Sequence, residues 1–186
     1  MSTLSKWLYR ISPGWVALFA AAIFFLFMFT VLPDQAAKAE VYARGAGSPD
    51  TAFFYLPQEL YEIAEAYGEA GRQAYVRARF TFDLAFPLVY GGFLAFTISW
   101  FLGKALEEDS RWRLLNLVPV LGVIFDLLEN IAASLVIGLY PQRLAAAAWL
   151  ASVFTPVKWI FVYGSFAVLL AAVVVWLVRM IKRQPG

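Results

Sequence analysis

Cysteine and histidine are both missing from this 186-residue chain. Without cysteine there is no disulfide, no iron–sulfur ligation and no thiol nucleophile. Without histidine there is no Ser-His or Cys-His catalysis, no His-ligated zinc and no ordinary His-held haem. What remains for chemistry is carboxylate, Lys, Arg, Tyr, Ser and Thr. No cofactor is expected beyond, at most, a hard oxygen-ligated cation such as Mg or Ca. Charge is scarce as well: 15% of the residues are Asp, Glu, Lys or Arg against 62% hydrophobic, more apolar surface than a soluble chain of this length can hide. The net charge of +2 comes mainly from basic residues flanking apolar runs, the pattern of membrane topology signals and not of a nucleic-acid surface. No nucleic-acid partner is expected; the lipid bilayer is.

Four stretches, about 15–32, 80–102, 114–140 and 147–178, are long enough to cross a hydrocarbon core of roughly 30 Å, which takes about 20 helical residues. The expected fold is all-α: a single integral membrane domain over 1–186, a four-helix transmembrane bundle with an external amphipathic helical segment at 33–79. The first stretch has some features of a secretory signal, with Lys6 and Arg10 before it and the small-x-small Ala37-Lys38-Ala39 after it. Its apolar length exceeds a typical signal core and favours a retained helix. Basic residues set the expected orientation. Lys6 and Arg10, then Lys104, Arg111 and Arg113, then Arg179, Lys182 and Arg183 fall in three short segments that would all be cytoplasmic, with both termini inside a bacterial inner membrane.

The external segment divides in two. Pro33 to Thr51 is rich in Ala, Gly, Pro and charge without clear periodicity and is expected to be a connector. Leu56-Pro57-Gln58-Glu59 opens like a helix, with Pro in the first turn and an acid near the positive dipole end. Apolar residues then recur at Leu60, Ile63, Ala64 and Tyr67. Gly68 and Gly71 weaken this helix; Arg72 restarts one that runs into the second span and brings Arg77 or Arg79 near Asp83, with a kink expected at Pro87.

Three ionisable residues stand where lipid is expected. Asp126 and Glu129 interrupt the apolar run Leu114 to Tyr140, and Lys158 interrupts Leu144 to Val178. Each opposes insertion by roughly 2.5–3.5 kcal/mol unless it pairs or neutralises. Asp126, Asn130 and Ser134 share one face of the third helix, with Glu129 beside them. Asp83, Tyr90 and Thr97 recur every seven residues on the second helix, and Thr155, Lys158 and Ser165 cluster on the fourth. The candidate ligand-binding set is therefore Asp126, Glu129, Asn130, Lys158, Asp83 and Tyr90.

Bland alternatives stand beside it. Lys158 could snorkel from the outer end of its span, Asp83 could be a rim or helix-start residue, and the two acids could be polar glue bonded to Asn116, Asn130, Tyr90 or Tyr163. Gly68 to Arg72 with Arg77 and Arg79 could hold a lipid phosphate, but a glycine pair before arginine is common in loops. Asp83 and Asp126 make a poor match to an aspartyl protease dyad.

The favoured function is binding or transport of a cation, a proton or a polar lipid headgroup from the outer side, without catalysis. The alternatives are an accessory subunit of a larger membrane complex, with other membrane subunits as partners, and a membrane enzyme using carboxylates with a hard metal. Binding predicts a cavity that reaches the acids. The accessory role predicts acids fully paired with no cavity, and the enzyme predicts acids converging on one metal.

Overall fold

Residues 2–182, which the computed structural model describes, fold into helices and turns, and four helices are long and apolar enough to cross a membrane. Arg183 lies outside the described residues. The chain starts with a short helix that the sequence reading missed, α1 (Thr3–Ile11), capped by the Ser2 hydroxyl accepting from the Ser5 N–H at 3.2 Å. It buries Ser5 and Leu8 and exposes Leu4 and Trp7 beside Lys6 and Arg10, the side-chain pattern of a helix lying along a membrane surface. Its Ser5 hydroxyl donates to Asn116 Oδ1 at 2.8 Å, and the Asn116 amide donates to Ser99 Oγ at 3.1 Å. Tyr9 donates to the Arg113 carbonyl at 2.8 Å, and burial pushes its phenol up to about 12 despite the Arg113 guanidinium above the ring. These bonds put the N-terminus and the turn before the third span on one side of the bundle.

The first span is longer than expected. After α2 (Gly14–Leu26) the chain widens into a π-helical turn at Phe27–Val31, where the Leu32 N–H reaches back to the Phe27 carbonyl, and α3 (Leu32–Ala43) continues from it. The connector expected from Pro33 onward is thus helical as far as Ala43. The wide turn accommodates a proline that an unbroken α-helix would resist, and Ala, Gln, Lys and Glu downstream are strong helix formers. Arg44, in the left-handed region at φ 51, ends the helix.

Helix α4 (Pro57–Arg79) starts where the sequence places it, with the Leu56 N–H donating to the Glu59 carboxylate at 2.6 Å. Its buried stripe runs Leu60, Ala64, Tyr67, Gly71, Tyr75, Arg79, a spacing of three and four that faces α3 and the third span. Gly68, at φ 63, breaks the helix midway, and the Arg72 guanidinium takes up the Ala64 carbonyl at 3.2 Å. Arg72 therefore serves the break in place of a phosphate. Gly71 lets α3 approach: a Cβ there would lie 2.8 Å from the Tyr42 carbonyl oxygen. The helix is not continuous with α5 (Phe82–Ala105), because Phe80 and Thr81 form a turn between them.

A 3-10 turn at Arg111–Leu117 leads to α6 (Val118–Gly138), with Pro119 in its first turn, and α7 (Ala145–Lys182) completes the bundle. At 1.5 Å per residue α7 is about 57 Å long, well beyond one hydrocarbon thickness. Helices α6 and α7 form the largest interface, with the small residues Ala132, Ala133, Ala148, Ala151 and Ser152 buried in the bundle. Close backbone packing of this kind holds helices together in lipid, where apolar burial alone gives little. α2 packs on α5 through Phe24 stacked on Phe93 at 4.6 Å, and makes little contact with α7. The two helices stand apart.

Gly91 sets the height of α5 against α6, since a Cβ at this position would collide with the Val123 side chain. Gly91→Ala should therefore destabilise the bundle by about 1–3 kcal/mol. Gly92→Ala, whose nearest neighbour would be Phe96 at 3.7 Å, should be neutral or slightly stabilising. Thermal unfolding in detergent checks the pair, and equal midpoints would contradict this packing.

Candidate functional site

A lysine with its ammonium in lipid would be costly, and here it turns inward. Lys158 is 4% exposed; its Nζ is ion-paired with Glu129 Oε2 and lies 4.0 Å from Asp126 Oδ1. Glu129 is held on its other oxygen by Thr155, whose hydroxyl lies 2.6 Å from Oε1. Thr155 precedes Lys158 by three residues on α7, so one helix face supplies both a cation and a hydroxyl.

Asp126 is tied from two more directions. The Tyr90 hydroxyl donates to Oδ2 at 2.9 Å and the Asn130 amide to Oδ1 at 3.3 Å. The same Asn130 amide donates to the Asp83 carbonyl at 3.0 Å. Pro87 explains that carbonyl: lacking an N–H, it leaves the group four residues earlier without a helical partner, and the asparagine of the neighbouring helix supplies one. The expected stripes of α5, α6 and α7 therefore do meet, at Asp83, Tyr90, Asp126, Glu129, Asn130 and Lys158. Thr97 and Ser165 do not join them; Ser165 bonds its own helix at the Phe161 carbonyl, 2.7 Å away. Asn116 belongs to the opposite end of the bundle, with Ser5 and Ser99.

A second ion cluster adjoins the first. Arg79, 6% exposed, is paired with Asp50 and lies 2.7 Å from Asp83 Oδ2. The Arg79–Asp83 approach follows the expected spacing of four. Asp50 was missed, because it comes from the segment between α3 and α4, which folds back over the bundle. That segment is pinned by the Trp159 indole donating to the Ala52 carbonyl at 2.9 Å, by Tyr67 donating to the Gly47 carbonyl at 2.7 Å, and by Ser48 donating to Asp50 at 2.6 Å. No periodicity announces such contacts. Tyr55, from the same segment, is buried near Glu129, and that burial raises its phenol well above the ordinary value and keeps it neutral.

Across both clusters two cations face four carboxylates, so the formal charge carries an excess of two negatives. The excess is partly reachable. A cavity of about 820 Å³ lies between α2 and α3 on one side and α5 and α7 on the other; Asp50, Asp83, Asp126, Arg79 and Lys158 line its polar end. Phe24, Met28, Phe86, Val162 and Phe166 line the apolar remainder. Glu129 stands behind this wall. The volume falls in the range of small-molecule sites, about 300–1,000 Å³. Among the described residues no three acidic side chains are grouped so as to hold a metal ion.

Comparison with protein families, with characterised proteins and with solved structures finds no match for this chain.

Lys158→Met should cost about 3–5 kcal/mol, because it leaves Glu129 and Asp126 buried without their cation. Adding Glu129→Gln should recover part of that loss, a positive coupling read from a double-mutant cycle of thermal or denaturant unfolding. Strict additivity would contradict the pairing.

Proposed function

We propose that this integral membrane protein binds a membrane amphiphile, with the polar head at the Asp83–Asp126–Lys158 end of the cavity and the apolar tail in the aromatic groove between α2 and α7. The observation that carries this is the continuity of one cavity from buried ion pairs to an apolar, largely aromatic wall. A bare cation or proton would need the polar end alone. A subunit that merely satisfied its own charges would close the space. The carboxylates are engaged by Lys158, Arg79, Tyr90 and Asn130 instead of converging on one point, which weighs against a metal-dependent enzyme.

The site lies at the end of the bundle covered by α4 and the segment before it. The basic residues Lys6, Arg10, Lys104, Arg111, Arg113, Arg179 and Lys182 gather toward the other end, so the site faces outward across a bacterial inner membrane with both termini cytoplasmic. Because the chain has no cysteine, single-cysteine variants report this without background. Glu65→Cys on α4 should react with a membrane-impermeant maleimide in intact cells, and Glu108→Cys, before the third span, only after permeabilisation. The opposite pattern would invert the orientation.

Occupancy is tested by added lipid. A ligand that binds only the folded state raises the unfolding midpoint, by about 2.7 kcal/mol of stability at a hundredfold excess over Kd. The delipidated protein in detergent should show such a shift with total membrane lipid. Met28→Trp, which fills the groove from the π-helical turn of the lightly packed first span, should fold and lose the shift. A lipid shift unchanged by Met28→Trp, or absent from the parent, would count against the groove.

A further inference from the structure

The cavity has polarity of both signs at its charged end, arranged in order. Asp83 and Asp126 lie on the wall with Arg79 between Asp50 and Asp83, and Arg77 and Lys38 lie on the same wall and are exposed to solvent. Lys38 has Asp34 at 2.7 Å; Arg77 makes no ion pair among the described residues. Four buried polar atoms of the cluster have no hydrogen-bond partner: Asp83 Oδ2 and Glu129 Oε2, which face Arg79 and Lys158 as ion pairs, Asn130 Oδ1, and Arg79 Nε, a donor of a residue that lines the wall. The unpartnered donor of Arg79 suits a head group that offers an acceptor there.

The charge excess narrows the choice. The wall carries both signs, so a net anionic head would add to the formal negative excess of the cluster, and a bare cation would leave Arg77 without an anion. A zwitterion adds no net charge and sets its cation beside the carboxylates and its anion beside the arginines, an attraction strongest where water is thin. A primary ammonium also donates up to three hydrogen bonds to carboxylate and amide oxygens, whereas a quaternary one donates none. Arginines suit the phosphate that accompanies such an amine in a bilayer lipid, through their fork of donors.

On the basis of the amphiphile site proposed above, we infer that the natural occupant is a zwitterionic phospholipid with a primary-amine head, its ammonium between Asp83 and Asp126 and its phosphate at Arg77 and Arg79. The Arg79–Asp83 separation of 2.7 Å shows that a cation and an acid are adjacent on the wall, so one small head group meets both. The tails lie along Phe24, Met28, Phe86 and Phe166 and leave through the gap between α2 and α7.

The test titrates delipidated full-length protein in non-ionic detergent with probes of matched tails: phosphatidylethanolamine, phosphatidylcholine, phosphatidylglycerol and a primary alkylamine. Intrinsic tryptophan fluorescence and the thermal midpoint give the apparent Kd. The ethanolamine lipid should bind at least about tenfold tighter than each of the others, the difference expected from one charge-assisted contact set. Asp126→Asn should bring the ethanolamine lipid down to the choline lipid. Arg77→Gln, at an exposed position, should bring it down to the alkylamine and decides the matter even if Asp126→Asn fails to fold. Equal or tighter binding of the glycerol or choline lipid overturns the head-group assignment and leaves the amphiphile site standing. An alkylamine that matches the ethanolamine lipid overturns the phosphate contact and with it the phospholipid. If no probe binds, the proposed function falls as well.

Discussion

A buried lysine paired with a buried glutamate across two helices organises the polar cluster of this molecule. Lys158 comes from α7 and Glu129 from α6, both almost fully buried, and neither is tolerable there without the other. Their approach sets the register of the two helices that share the largest interface. That register in turn presents Asp126, one turn earlier on α6, to Tyr90 on α5. A pair of this kind adds little net stability over an apolar replacement, but it disfavours every arrangement of the helices that would separate the charges.

Backbone breaks serve the same centre. Pro87 frees the Asp83 carbonyl, and Asn130 both satisfies it and steadies Asp126, so a proline on one helix and an amide on the next act as one joint. Gly68 and the Phe80–Thr81 turn bend α4 away from the direction of α5, which allows Arg79 to sit between Asp83 and the returning Asp50. The π-turn at Phe27–Val31 lets the first span run past Pro33, bringing Lys38 to the cavity wall. α2 stays lightly packed against the bundle and contributes Phe24 to the apolar wall of the cavity.

The four spans and the meeting of polar stripes were legible in the sequence because both rest on local period and on the cost of charge in lipid. Asp126 and Asn130 share a face by spacing alone; Arg79 reaches Asp83 as expected, but across the Phe80–Thr81 turn and not along one continuous helix. Lys158 was ambiguous between snorkelling and pairing, since span boundaries leave its depth uncertain by a turn or more and only tertiary packing decides. Asp50 and Tyr55 were invisible: they reach the site through a segment without periodicity, tied down by bonds from Trp159 and Tyr67 that lie far away in the chain. The helix from Pro33 to Ala43 was concealed by a proline whose disruption the π-turn absorbs. The amphipathic α1 is hard to see in sequence because it is only nine residues long and its Lys6 and Arg10 read equally well as topology signals.

The central claim, that buried ion pairs at the end of an apolar lateral groove hold the head of a membrane amphiphile, is tested most directly by native mass spectrometry of the protein released from mild detergent. A retained adduct of lipid mass is expected on the parent, present at one copy per chain and lost from a Met28→Trp chain that otherwise keeps its folded charge-state distribution. A bare parent chain under conditions that preserve lipid on other membrane proteins, or an adduct that persists unchanged when the groove is filled, would contradict it.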